Sequence, residues 1–407
     1  MNQISCNTLK PTHFRGSMSP GRAFVDYRLV RQGNAFSAGF SLIEVMVAMV
    51  IGMLGIIVMM QMFSMFEGQK RTTTGGDDSI SSGAVSLYGV QRSIQQSGWG
   101  INAAKLIGCP VTGLTSGGAS LPLVPVRINS PLISGQDANT DTLLLVSGNG
   151  NGTVEGDIIN SVAATVYSVH TPTAFAAGDN VLAVSNAWPA TCNLTYTSVS
   201  SVDVAAGTVT LAAAAAFGVA PEDRLFNLGA APIVRAYAVR NGNLTVCNYN
   251  TSNCGAAASN NDPAVWVPIA NNVVSLRAQY GRDTSAAPMD GVVDVWDQTV
   301  PTTACGFMRT SAVRLALVAR SSQPEKRLDG DLTGTAYVTP NAPQWAGSDA
   351  AAIAIDATAA GIVAIILTQS ILPVPTAWPQ WQDFRYKVFQ TTVPMRNITN
   401  LGVVPEC

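Results

Sequence analysis

Histidine is almost missing from this chain: of 407 residues only His13 and His170 are histidine. No C-x-x-C pair occurs either, so the tight clusters of soft ligands that hold zinc are absent. There is no G-x-S-x-G elbow, no phosphate loop of the G-x-x-x-x-G-K form, and beyond residue 40 no histidine except His170 to pair with a cysteine. Nucleophilic triads and nucleotide hydrolysis therefore lack their parts. Charge is scarce too, at 12% of residues with a formal net charge of −2. That balance offers nucleic acid no basic footprint, and it gives an anionic lipid surface nothing to hold on the soluble part. No repeat of solenoid period is visible.

What the chain does have is one long uncharged run. From Val45 to Met60 there is no polar side chain, and no charged one appears before Glu67. A hydrocarbon core needs about 20 such residues, so the run reads as a transmembrane helix. It is apolar on every side, unlike a surface helix of a soluble domain. Glu44, at its mouth, is the exception. A carboxylate in lipid costs roughly 2.5–3.5 kcal/mol on insertion scales, so it needs a cationic partner. If the bond after Gly39 is cut, Phe40 becomes a free amine four residues before Glu44.

Gly39 followed by Phe-Ser-Leu-Ile-Glu-Val-Met-Val-Ala resembles the prepilin peptidase site of type IV pilins and type II secretion pseudopilins. The resemblance implies that Gly39 ends the leader, that Phe40 is the N-methylated first mature residue, and that Glu44 is the acid that pairs with a neighbouring subunit's terminal amine. Two departures stand out. A leader over 1–39 is longer than usual in the family, which makes Met18 a second candidate start. It is still basic, with Lys10, Arg15, Arg22, Arg28 and Arg31 against Asp26, and favours a cytoplasmic side by the positive-inside rule. Gln61 stands where major pilins commonly carry a helix-breaking proline, leaving only Gly52 and Gly55 to loosen the span.

Cys6 belongs to the leader, and the other six cysteines, Cys109, Cys192, Cys247, Cys254, Cys305 and Cys407, all follow the span. An even count outside an inner membrane points to disulfides in an oxidising periplasm, with 15 connectivities open. Cys247 and Cys254 bracket a short polar loop and are the best local pair. Cys407 would fasten a tail that otherwise frays, to Cys305 or to Cys109.

After Phe66 the sequence turns polar, and Gly75-Gly76 within 72–78 predicts a break or bend in the helix. Leu87, Val90, Ile94 and Ile101 then form one apolar stripe, stopped by Gly98-Trp99-Gly100. Beyond residue 110, short runs of Val, Thr, Leu and Tyr between Gly, Asn, Asp and Pro predict strands over 142–146, 162–169, 207–211, 233–239, 273–280, 313–319 and 384–388. The alanines 212–216 fit a helical turn or a small-residue strand. The apolar stretch 361–367, with Asp356 upstream, is too short to span a bilayer and reads as core. Trp378, Trp381 and Phe384 either lock the tail or form a binding patch.

The body resembles PilW-type minor pilins in four blocks: 88–100 at the helix ending, 274–283 with 290–296, 313–321, and 386–397. Such proteins are similar to J-type pseudopilins. Residues 110–260 resemble nothing known. The acidic loop supplies Asp283, Asp290 and Asp294, hard oxygens that suit calcium, which some relatives bind in pilin loops; Asp290-Gly291 is equally an ordinary hairpin turn.

The expected fold is α+β and type IV pilin-like, a long N-terminal transmembrane helix packed on an antiparallel β-sheet-rich globular domain. Residues 1–39 are the leader, 40–66 the transmembrane helix, 67–100 its amphipathic continuation and 101–407 a periplasmic body. The resemblance implies a minor pilin that helps to initiate type IV pilus assembly at or near the tip, joining other minor pilins or a tip adhesin to the major-pilin shaft. Prepilin peptidase would process it, the inner membrane would hold it before assembly, and the fibre at the cell surface would be its destination. No cofactor is implied beyond the calcium option. A J-type minor pseudopilin is the alternative. A signal-anchored adhesin, or a periplasmic enzyme working with two carboxylates, stands further off, and removal of the leader at Gly39 separates these from the pilin readings.

Overall fold

The computed structural model describes residues 41–187, 192–325, 337–348 and 381–399, together with Cys407. The leader, Gly39, Phe40, Asp356, the stretch 361–367 and Trp378 lie outside the described residues. The chain divides into two compact units, Met1–Ser64 and Met65–Cys407.

One helix, α1 (Leu42–Gln96), begins in the first unit. From Leu42 to Lys70 it is long and apolar enough to cross a membrane, and all of its side chains there are exposed. In the second unit α1 runs on through Gly75-Gly76 without the expected break. Each glycine costs about 1 kcal/mol relative to alanine inside a helix, a sum that an established hydrogen-bond ladder on both sides absorbs. Thr73 adds its own bond, its Oγ1 donating to Gln69 O at 2.7 Å. The helix ends at Gln96, and Gly98 follows with φ +86°, a left-handed conformation that only glycine adopts at little cost. Its N–H donates to Val146 O at 2.8 Å.

After α1 comes a two-stranded ribbon, β1 (Pro110–Val111) with β2 (Leu121–Pro122). A five-stranded antiparallel sheet uses β3 (Val126–Ile128), β4 (Leu143–Ser147), β11 (Ile233–Arg240), β12 (Asn243–Asn248) and β13 (Val267–Ala270), in the order β13-β12-β11-β4-β3. Because β4 pairs directly with β11, everything between them is an insertion into that sheet. The insertion is a closed six-stranded barrel of β5 (Asp157–Ala163), β6 (Val166–Val169), β7 (Asn180–Val184), β8 (Leu194–Asp203), β9 (Thr208–Leu211) and β10 (Arg224–Gly229). The run 162–169, expected as one strand, is instead the end of β5, a turn at 164–165 with Ala164 at φ +55°, and the whole of β6. Residues 212–216 are neither helix nor strand.

A four-stranded sheet closes the body, ordered β15-β14-β16-β17: β14 (Val273–Arg282), β15 (Val295–Asp297), β16 (Thr310–Arg320) and β17 (Tyr386–Pro394). The short helix α2 (Ala304–Met308) precedes β16, and α3 (Arg396–Thr399) follows β17. The expected strand at 384–388 starts later, because 381–383 make a 3-10 turn.

Val90 and Ile94 are fully buried in a core shared by β4, β11, β14, β16 and β17, and Leu87 packs at its border. Full burial of each such side chain contributes roughly 1.5–3 kcal/mol. Ile101 lies past the helix end and enters a second core on the other face of the five-stranded sheet. The barrel has its own interior around Ile159, Tyr167 and Val209. At Gly83, α1 comes so close to β17 that an added Cβ would fall 2.2 Å from the Phe389 ring.

Candidate assembly site and cross-linked body

Glu44 occupies the first turn of α1. Its Oε2 accepts the Ser41 N–H at 3.3 Å, while Ser41 Oγ accepts the Ile43 N–H at 3.3 Å. This is a capping box in which the serine reaches the second rather than the third helical N–H, and it places the acid at the positive end of the helix macrodipole. The S-x-x-E spacing ahead of an apolar run carries that information in the sequence, where attention to charge alone misses it. An ionised carboxylate has about four acceptor positions, so a cap leaves capacity for a further donor. Around it stand exposed apolar side chains, among them Leu42, Ile43 and Val47.

The cysteines form three pairs. Cys247 joins Cys254 and closes the polar loop between them, Cys305 joins Cys407, and Cys109 joins Cys192 rather than Cys407. Cys192 belongs to the β7–β8 connection, so the last bond ties the barrel to the body. In the chain-entropy picture, closing loops of 83 and 102 residues stabilises by about 4–5 kcal/mol each, and the seven-residue loop by roughly half that. Arg309, which no sequence motif singles out, gathers three segments. It donates through Nε and Nη2 to Cys407 O, donates through Nη1 to Ser285 O at 2.7 Å, and meets Asp283 Oδ1 at 3.3 Å.

Asp283, Asp290 and Asp294 share one loop but turn their oxygens to its own donors. Asp283 accepts from Ser285 N at 2.9 Å, Ser285 Oγ at 2.6 Å and Gly291 N at 2.8 Å. Asp294 Oδ2 accepts from Thr284 N at 2.8 Å, and Asp290 Oδ1 from Val292 N at 2.8 Å. Burial works against the Asp283 charge, yet the donors from Ser285 and Gly291, with the Arg309 cation, hold its carboxyl below the usual carboxylate range. Calcium needs six to eight oxygens, and these residues do not fit it: both Asp283 oxygens are engaged, Asp290 and Asp294 each turn one oxygen to a loop donor, and the Arg309 guanidinium stands in the cluster. Among the described residues no three acidic, histidine or cysteine side chains converge on a metal site.

Trp381 and Phe384 secure the start of β17. Trp381 stands edge-on to Tyr386 with ring centroids 6.4 Å apart and accepts the Tyr386 hydroxyl through its carbonyl at 2.8 Å. The Arg320 guanidinium lies 4.3 Å from the Phe384 ring centre. Both aromatics are therefore engaged within the four-stranded sheet.

Comparison with known proteins adds two family matches. Residues 236–397 match the family Type IV Pilus-assembly protein W, and residues 35–60 match the prokaryotic N-terminal methylation motif. The first match contains the blocks at 274–296, 313–321 and 386–397 and leaves out the barrel. The second spans Gly39, Phe40 and Glu44. No curated protein matches the chain. Among solved structures, a type IV-like pilin from Thermus thermophilus is 13% identical over 54% of this chain and 84% of its own, at a TM-score of 0.20. A likeness of that size carries no argument. The family matches, with one long apolar N-terminal helix ahead of a strand-rich body, support a type IV pilin of the PilW type.

Proposed function

We propose that this PilW-type pilin is a minor pilin that helps to initiate type IV pilus assembly and sits at or near the pilus tip, joining other minor pilins or an adhesin to the shaft. The observation that carries the reading is Glu44, one acid in the first turn of an otherwise uncharged, wholly exposed apolar helix within the methylation motif. Prepilin peptidase would cut after Gly39, and the resulting Phe40 amine would be the cation that Glu44 of a neighbouring subunit meets. At 4 Å such a pair is worth about 1 kcal/mol in water and about 4 kcal/mol at an effective dielectric of 20. The contact therefore strengthens as lipid and packed helices replace water. A capping box already orients Glu44 along the helix start, so little order has to be gained on pairing.

The body favours a terminal rather than a repeated position. An entire barrel is inserted between β4 and β11, outside the span matched by the family, and such bulk would crowd a lattice of identical neighbours. The pilin matches point to a structural protein rather than an enzyme. The apolar helix and the motif fit a membrane-anchored pilin, which we place with its body in the periplasm before assembly and on the fibre afterwards.

The test is Glu44→Ala expressed in place of the wild-type chain. Leader removal should persist and the membrane pool should remain, while the amount recovered in sheared pili falls. Equal recovery of the variant in the fibre refutes the pairing role.

A further inference from the structure

Beside the contact of α1 with β11, the second unit holds a cavity of about 420 Å³. Arg235 and Tyr237 of β11, Val246 of β12, and Val267 and Ile269 of β13 line it, and so do Thr251 and Ser252 from the loop closed by Cys247–Cys254. The lining is held in place from two sides. The disulfide fixes the loop, and Tyr237 Oη lies 2.9 Å from Ser93 Oγ of α1.

Two features of this place have no use among the described residues. Val267 and Ile269 are 46% and 45% exposed on a strand that forms the edge of its sheet. Pro268 between them has no N–H to offer, so a partner would engage side chains here rather than add a full strand. The second feature is Arg235. It is exposed and makes no ion pair or side-chain hydrogen bond among the described residues. Arg240 on the same strand, by contrast, donates to the carbonyls of Gly135 and Asn260 and stacks on Trp266. An unpaired guanidinium next to apolar surface, in a chain whose formal charge is negative, is complementary to a carboxylate with apolar neighbours. The exposed edge of β13 reaches beyond what a small ion would cover.

We propose that this cavity docks an extended segment of a partner protein whose acidic side chain meets Arg235 and whose apolar neighbours cover Val267 and Ile269. The inference rests on nothing at the N-terminus, so it stands or falls apart from the role of Glu44. Its test uses the full chain in detergent and a fluorescent nonapeptide of alternating valine and threonine with one central glutamate, read by anisotropy. The acidic peptide should bind, its glutamine counterpart should bind about tenfold more weakly, and Arg235→Gln should cost a similar factor, as for a partly desolvated charge pair. Arg235→Lys should retain most of the binding and Val267→Asp should lose it. All three variants should melt with the wild type, since both side chains are exposed. Absence of binding by the acidic peptide, equal binding of the glutamine peptide, indifference to Arg235→Gln, or displacement by excess inorganic phosphate would each overturn the proposal, the last by making the cavity a small-anion site.

Discussion

Replacing Asp141 by alanine should be the most damaging single change in the body. Asp141 precedes β4, and its buried carboxylate reaches across to β14. Oδ1 accepts from Asn129 Nδ2 at 3.0 Å and lies 3.5 Å from Arg277 Nη1; Oδ2 accepts from Ala278 N at 3.0 Å and Gln298 Nε2 at 2.8 Å. The side chains of Arg277 and Asp141 are only 8% and 5% exposed. Burial pushes the Arg277 guanidinium down from its ordinary pKa, and Asp141 opposes that shift. Without the carboxylate, a buried cation and three neutral donors lose their partner together. Breaking a buried pair in this way costs about 3–5 kcal/mol, a large share of the roughly 5–15 kcal/mol that holds a typical domain. Arg277 Nε has no hydrogen-bond partner even in the intact site, so removing both charges should recover much of the loss. Urea unfolding followed by tryptophan fluorescence, applied to Asp141→Ala, Arg277→Met and the double variant, measures the coupling. A single-variant cost below about 1 kcal/mol, or a double variant as unstable as the sum of the singles, would refute the reasoning.

Alkaline pH should destabilise the body through Tyr280 and Tyr249, both pushed up to about 12 by burial. Their protonated forms are the ones the fold favours, so this stability is complete below the unfolded value near 10 and is lost as pH rises towards 12. Melting temperature against pH should show the decline, and Tyr280→Phe should flatten it. At the acid end, the depressed Asp283 carboxyl contributes stability present above its unfolded value near 4 and lost as pH falls below it. Asp283→Asn should shrink that acid-side loss in the same melting series. Calcium added to the full chain should give neither heat nor a melting shift, since Arg309 and backbone donors hold the loop; saturable heat would show the loop to be a cation site. Cys305→Ser with Cys407→Ser should cost up to about 4–5 kcal/mol in unfolding, and an unchanged unfolding midpoint would show the tail to be held without its disulfide.

The sequence was most legible where one local pattern decides the outcome. More than twenty uncharged and mostly apolar residues in a row, from Val45 to Phe66, read as a membrane helix, and a strand such as β16, apolar along most of its length, announces itself. At Gly75-Gly76 the helix does not break, because a breaker signal is local, whereas helix continuation is cooperative with the turns on either side. The β5–β6 turn carries Ala164 at a positive φ where no glycine, asparagine or proline marks it. The barrel was illegible for a different reason. Its closure depends on β10 pairing with β5 and β7, contacts far apart in sequence that no periodicity encodes. In the candidate site, Glu44 stood out as a lone charge, but its bond to Ser41 is a matter of spacing. Arg309 and Arg235 gave no signal at all, because what distinguishes them is which groups the fold brings near.

The assembly reading rests on a free amine at Phe40 able to meet Glu44. Mass spectrometry of the N-terminal peptide, taken from protein isolated from its own cells, tests this most directly. The peptide should begin at Phe40 with a methylated α-amine and lack residues 1–39. A chain still carrying the leader, or cut elsewhere and unmethylated, would contradict that reading.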